Sequence, residues 1–139
     1  MSESRENLLQ AIRQVQAVNE RFRTLFQQCE QVYRTMQPEL QALSNRAAEL
    51  MVDYEFRTRV QQYLDSDELR LYKSNVDRFF AEVAPAYGDA MEVLGEHVDE
   101  IRADPTLSEL FDSVTGTLSR FRDQHRELTT LTLGLTPAN

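Results

Sequence analysis

An apolar residue recurs at alternating steps of four and three between Leu8 and Met36, and this spacing limits what the chain can fold into. A heptad repeat kept over about four heptads is typical of a long helix that meets a partner along its length. A helix over residues 3–36 would be on the order of 50 Å long. The pattern therefore predicts a coiled-coil-like helix that self-associates. The positions in the repeat are Leu8, Ile12, Val15, Asn19, Phe22, Phe26, Cys29, Tyr33 and Met36.

Asn19 is the polar member of this repeat, and it admits two interpretations. An asparagine at a core heptad position can fix the register and number of helices, because its amide must find a partner in the interface. The alternative is that Val18 turns inward and Asn19 faces solvent. A second helical stripe supports that alternative: Leu8, Ile12, Val15, Val18, Phe22, Leu25 and Cys29.

Self-association through this helix most simply gives a dimer with closed twofold symmetry. A tetramer and packing of the helix on its own chain are the alternatives. Pro38 follows the repeat and removes a helical hydrogen bond to the carbonyl of Arg34. The apolar stripe nevertheless resumes in phase at Leu40, so we expect the long helix to be kinked or broken near Pro38.

The remainder of the chain is also predicted to be helical. Glycine and proline, which disfavour helices, number only four each. Apolar periodicity predicts about three shorter C-terminal helices, over residues 69–83, 86–103 and from Pro105 onward. Asp104 followed by Pro105 is the clearest helix start, because aspartate caps helices and proline suits the first turn. The fold class is therefore all-α, a helical bundle with a long N-terminal helix.

We expect one helical domain over residues 1–130, divided into a long hairpin or rod over 1–64 and a three-helix part over 65–130. Residues 131–139 are expected to form a flexible C-terminal tail, since chain ends commonly fray. The alternation of Leu131, Leu133 and Leu135 with small and polar residues leaves a second interpretation. That period of two is typical of a strand, which would dock on the sheet edge of a partner.

Acidic residues concentrate in one part of the chain. The formal net charge is −8, and the segment 82–112 contains nine acids and one base. This acidic segment could form a docking face for a basic protein partner, through electrostatic steering and charge complementarity. A solvated helix face is the alternative, and nucleic-acid binding is not expected without a basic stripe. The candidate partner-binding residues are Asp89, Glu92, Glu96, Asp99, Glu100 and Asp104.

No residue pattern predicts catalysis or a cofactor. The two histidines, His97 and His125, lack the Glu-x-x-His spacing of a bundle metal site, so we expect packed histidines and no metal ligands. Cys29 occupies a core position, where cysteine behaves as a small apolar residue. The glycines are isolated, so no phosphate-binding loop is formed. We expect a protein that is not an enzyme.

These observations favour a non-enzymatic protein–protein interaction protein: a scaffold, adaptor or structural subunit of a larger assembly. One alternative is a small acidic chaperone-like module for secretion or assembly, and another is a helical-bundle metal protein or enzyme. A single cysteine and the absence of a secretory signal in "MSESRENLLQ" favour a cytoplasmic location or a place in a virus or other assembly. No apolar run is long enough to predict a membrane span.

Overall fold

Helices form nearly all of the structure, a computed structural model that describes residues 2–136 and the side chains of residues 4–136. Within that range no strand occurs, which confirms the all-α prediction. The α-helices are α1 Ser2–Arg21, α2 Arg23–Asn45, α3 Tyr54–Leu64, α4 Asp67–Arg78, α5 Ala84–Ala86, α6 Ala90–Glu96, α7 Val98–Ala103 and α8 Pro105–Leu135. A 3₁₀ turn covers Ala47–Met51 and a π-helical turn covers Phe79–Val83.

The predicted N-terminal helix is two helices, and the interruption lies at Phe22 and not at Pro38. Helical bonding continues on either side, because Phe22 N donates to Val18 O at 3.0 Å and Phe26 N donates to Phe22 O at 3.1 Å. Pro38 lies inside α2, so of the predicted kink or break near Pro38 the break is wrong, and the kink remains a prediction. Pro38 and Arg34 face solvent, where water can satisfy the carbonyl that proline leaves unpaired.

The residues group into two compact units, and unit 1 comprises residues 2–26 and 78–120. Helix α1 packs against α6 in this unit. Phe26 meets the edge of Phe79, with ring centroids 5.9 Å apart. The buried apolar residues of unit 1 are Leu8, Ala11, Ile12, Val15, Val18, Phe22, Leu25, Phe79, Val83, Tyr87, Ala90, Leu94, Ile101, Leu107 and Val114.

The predicted helices over 69–83 and 86–103 are both interrupted. At the end of α4 the chain widens into the π-helical turn, where Ala84 N donates to Phe79 O. This wider turn precedes Pro85, which has no N–H to donate and so fits where regular α-helical bonding has been given up. His97 then separates α6 from α7.

Helix α8 begins as predicted. Asp104 Oδ1 accepts hydrogen bonds from Thr106 N at 3.0 Å and Leu107 N at 3.3 Å, and Pro105 is the first helical residue. With 31 residues α8 is the longest helix described, and not one of three short ones. It includes Leu131, Leu133 and Leu135, so these residues do not adopt the strand alternative; residues 137–139 of the predicted tail lie outside the described part.

Unit 2 comprises residues 27–77 and 121–136. Its core joins α2, α3, α4 and the last turns of α8, and its buried members are Met36, Leu40, Phe56, Val60, Leu69, Tyr72, Leu128 and Leu135. Each unit combines segments that are distant in the chain, and the predicted division at residue 64 remains a prediction. The prediction of one domain over 1–130 remains a prediction.

The end of α8 provides a test of this packing. We expect Leu135→Ala to lower the free energy of unfolding by about 2–5 kcal/mol, because Leu135 has no exposed surface and its truncation leaves a cavity. Leu133→Ala is the matched control, since Leu133 is 68% exposed and we expect a change within about 0.5 kcal/mol. Urea unfolding followed by circular dichroism measures both values. Equal, small effects would mean that the C-terminal turn is frayed and unpacked.

Candidate interaction surfaces

Asn19 is partly buried, and both ends of its side-chain amide form hydrogen bonds within the chain. Its amide Nδ2 donates to the carbonyl of Val114 at 2.7 Å, and its Oδ1 accepts from the hydroxyl of Tyr87 at 2.7 Å. Gln14 Nε2 donates to the backbone carbonyl of Tyr87 at 3.0 Å, which fixes the same tyrosine from the other side. The asparagine therefore ties α1 to α8 and to Tyr87 inside unit 1.

The predicted self-association face is largely covered by the chain itself. Leu8, Ile12, Val15, Phe22, Cys29 and Met36 are buried. Asn19, Phe26 and Tyr33 are partly buried. Val18 and Leu25 of the second stripe are buried as well. The Tyr33 hydroxyl donates to Glu127, and that hydrogen bond raises the pKa of Tyr33. A dimer through this face would have to displace contacts that the chain already makes, and self-association through it remains a prediction.

The predicted acidic face lies in unit 1. Asp89, Glu92, Glu96, Asp99 and Glu100 are exposed, whereas Asp104 is partly buried. Two of the six residues are engaged by α1: Ser4 Oγ donates to Glu100 Oε2 at 3.1 Å, and Arg5 Nε donates to Asp104 Oδ2 at 2.9 Å. The Arg5 contact, followed by the backbone N–H of Leu107, lowers the pKa of Asp104. Asp104 therefore acts first as a helix cap and ion-pair partner.

The two histidines occupy different environments. His97 Nδ1 lies 2.8 Å from the carbonyl of Val93 in unit 1. His125, in unit 2, shares a hydrogen bond with the Tyr72 hydroxyl and stacks on Phe121, with centroids 5.9 Å apart and planes 6° apart. Over the residues that the structure describes, no group of three or more His, Cys, Asp or Glu side chains is arranged to hold a metal ion. Cys29 is buried, and burial raises the pKa of its thiol to about 11.

Unit 2 also presents a surface that sequence reasoning missed, an apolar tip formed by Met51, Val52 and Tyr54. Their exposed fractions are 85%, 85% and 74%. A single exposed apolar residue is ordinary on a protein surface, but three large ones within four positions form a patch of the kind that marks binding sites. The run "LMVDYEF" could have indicated this exposed patch, because the run contains more apolar residues than one helical face can bury.

The backbone of the apolar tip is held in place from both sides. Arg46 forms two hydrogen bonds with the carboxylate of Glu49, at 3.1 and 2.8 Å. Glu49 O in turn accepts from the backbone N–H groups of Val52 and Asp53, at 3.2 and 2.8 Å. Asp53 Oδ1 then caps α3 by accepting from Phe56 N at 3.2 Å. The exposed side chains therefore project from a fixed turn, which lowers the entropy cost of binding.

A pocket of about 300 Å³ lies between α4 and α8 in unit 2, and its walls are mostly apolar. The Tyr72–His125 pair belongs to its wall, and burial raises the pKa of Tyr72 and lowers the pKa of His125. This α4–α8 pocket is lined by Leu69, Tyr72, Lys73, Val76, Asp77, His125, Thr129, Thr132 and Leu133. Its volume falls at the lower end of the range for ligand pockets.

Two further polar groups of unit 2 are buried without a hydrogen-bond partner in the described part of the chain, the Tyr63 hydroxyl and Asn75 Nδ2. Burial raises the pKa of Tyr63. Asn75 is only 6% exposed. Apolar periodicity does not predict that Asn75 is buried, because it places the neighbouring Val76 on the inward face of the helix.

Comparisons with known proteins identify no relative: no family model, no curated protein and no solved structure matches this chain. No described helix is both long enough and apolar enough to cross a membrane. The surfaces themselves therefore provide the basis for a functional proposal.

The Asn19 contacts can be tested by a double-mutant cycle. We expect Asn19→Leu to lower the free energy of unfolding by about 1–3 kcal/mol, because it leaves the buried Tyr87 hydroxyl without its acceptor. Tyr87→Phe should destabilise as well, and the pair should couple by about 0.5–3 kcal/mol. Urea denaturation of the two single variants and the double variant gives the coupling. A change of oligomeric state with additive stabilities would instead place Asn19 in an interface.

The partly buried His125 predicts a pH dependence of stability. Because burial lowers the pKa of His125, the unfolded chain binds a proton at this site more readily than the folded chain. The contribution of neutral His125 to the free energy of unfolding is therefore complete above the unfolded pKa of about 6.5. It is lost as the pH falls below that value. We expect His125→Gln to reduce the loss of stability between about pH 7 and pH 5. Urea midpoints across that range measure it, and His97→Gln is the control, which should leave the His125 contribution in place.

Proposed function

We propose that this chain is a non-enzymatic protein–protein interaction protein, a scaffold, adaptor or structural subunit of a larger assembly. The observation that carries the proposal is the apolar tip: Met51, Val52 and Tyr54 project from a fixed turn with most of their surface exposed. Binding hot spots are commonly a few large side chains that insert into a pocket of the partner. A rigid, exposed apolar projection has that form.

The arrangement of polar groups supports the same proposal. Each potentially reactive side chain named above has a structural role: Cys29 is buried, His125 packs against Tyr72 and Phe121, and Asp104 caps α8. The exposed acids of unit 1 provide a second surface, suited to steering a basic protein partner toward the chain. In this proposal the acidic surface increases the rate of association with a basic partner, and the apolar tip stabilises the complex once it has formed.

The α4–α8 pocket favours a second candidate function, an acidic chaperone-like module. Leu69, Tyr72 and Val76 line one side and the largely exposed Leu133 lies on the other, so a short apolar segment of a client could bind there. Such a module would depend on Leu133 and not on Val52, which separates it from the leading proposal.

Substitution within the apolar tip tests the leading proposal. The chain would be tagged, expressed in its native host and recovered with its bound proteins as wild type, Val52→Glu and Leu110→Glu. We expect Val52→Glu to reduce recovery of the specific partner at least about tenfold, because a charge replaces a hot-spot side chain. Leu110→Glu is the matched control, since Leu110 is an exposed apolar residue of unit 1, and it should retain the partner.

Quantitative mass spectrometry of the recovered proteins gives the comparison. Retention of the same partners by Val52→Glu at the wild-type level would contradict the proposal. Loss of a partner with Leu133→Glu alone would favour the chaperone-like module instead.

A further inference from the structure

The α4–α8 pocket carries two charged side chains at its rim. Lys73 and Asp77 are one helical turn apart on α4, and both are exposed. Within the described part of the chain neither of them forms a salt bridge. The rest of the lining is mostly apolar, so an occupant should combine an apolar body with one acid and one base beside it.

The apolar tip offers such a pair of charges next to its apolar side chains. Glu55 and Arg57 follow Tyr54 on the first turn of α3, and the Arg57 guanidinium lies 5.8 Å from the centroid of the Tyr54 ring. Glu55 also forms no salt bridge within the residues described. Beside its three exposed apolar side chains the tip therefore presents Glu55 and Arg57, whose charges are opposite to those of Lys73 and Asp77 on the pocket rim. Asp53 is a second acid of the tip, and its carboxylate is already used to cap α3.

We propose that the occupant of the α4–α8 pocket is the apolar tip of a second copy of this chain. The inference rests on the proposed function, because it takes the tip as a docking element and names its partner. Met51, Val52 and Tyr54 of one copy enter the pocket of another, Glu55 faces Lys73, and Arg57 faces Asp77.

The volume of the pocket suits this occupant, because a pocket of about 300 Å³ accommodates a few side chains. The rim also disfavours a small anionic amphiphile, because Asp77 would repel the group that Lys73 attracts. Two or three neighbouring apolar side chains with both charges beside them meet all of these conditions.

The contact is small, which predicts weak and concentration-dependent association. Interfaces that bury less than about 1,200 Å² belong to transient complexes. Since each copy has one tip and one pocket, variants that lose one element keep the other. A tip variant and a pocket variant can therefore join through a single contact and go no further.

Sedimentation equilibrium of purified protein at concentrations up to about 1 mM, the weak end of the affinity scale, tests the proposal. The tip variant is Val52→Glu, the pocket variant is Leu133→Glu, and Leu110→Glu is the control that adds the same charge in unit 1. All three positions are exposed, so the fold should be retained, and circular dichroism checks that it is.

The mass of wild type and of Leu110→Glu should rise with concentration above the monomer value of 16.2 kDa. Val52→Glu and Leu133→Glu should each remain at 16.2 kDa alone, and the mass of their equimolar mixture should rise with concentration without exceeding twice 16.2 kDa. A wild type that stays monomeric, a single variant that associates like wild type, or a mixture that stays monomeric would each overturn tip-in-pocket association.

The proposed function has a separate outcome. If the purified wild type stays monomeric while Val52→Glu still loses a different protein in the recovery experiment, association between copies is wrong and the interaction function stands. If neither effect is seen, both proposals are wrong.

Discussion

Burial of the apolar face of α1 and α2 within the chain is the interaction on which the remaining structure depends. Ile12 and Val15 lie in the core of unit 1, and Met36 and Leu40 lie in that of unit 2. Buried apolar surface stabilises at about 25 cal/mol per Å², so a partner could use this face only by displacing contacts of the same kind. The proposed function therefore relies on what lies outside this face: the acidic face, the apolar tip and the α4–α8 pocket.

The features of the fold that depend on local chemistry could be predicted from the sequence. The start of α8 is one, because the Asp104 carboxylate and the fixed backbone of Pro105 act on residues within a single turn. The interruption at Phe22 could not be predicted, since neither glycine nor proline lies near it. Pro38 gave a clear local signal for a break, but burial of Met36 and Leu40 on either side keeps α2 continuous.

The candidate surfaces were less accessible to sequence reasoning, for a physical reason. Periodicity shows which residues a helix can bury together, but burial also needs a covering element, and its position is a tertiary property. Val52 and Val60 are both valines near α3, yet one is 85% exposed and the other lies in the core. In the same way His125 was expected to pack, but its partner Tyr72 lies 53 positions earlier in the chain. Five of the six predicted acidic residues are exposed, since charged side chains need no covering element, and the sixth, Asp104, is partly buried where it caps α8.

The two units carry surfaces that act over different distances. The exposed acids of unit 1 act through a field that salt screens beyond about 10 Å at 0.1 M, so in the proposed function they set how fast a charged partner arrives. The tip and pocket of unit 2 act only at close contact, chiefly through removal of apolar surface from water, so in the proposed function they set how long a complex lasts. If both surfaces serve one complex, added salt slows its formation and leaves its dissociation nearly unchanged. Association between two copies of the chain would show the opposite salt dependence. Their acidic faces repel each other, so added salt would increase the rate of association.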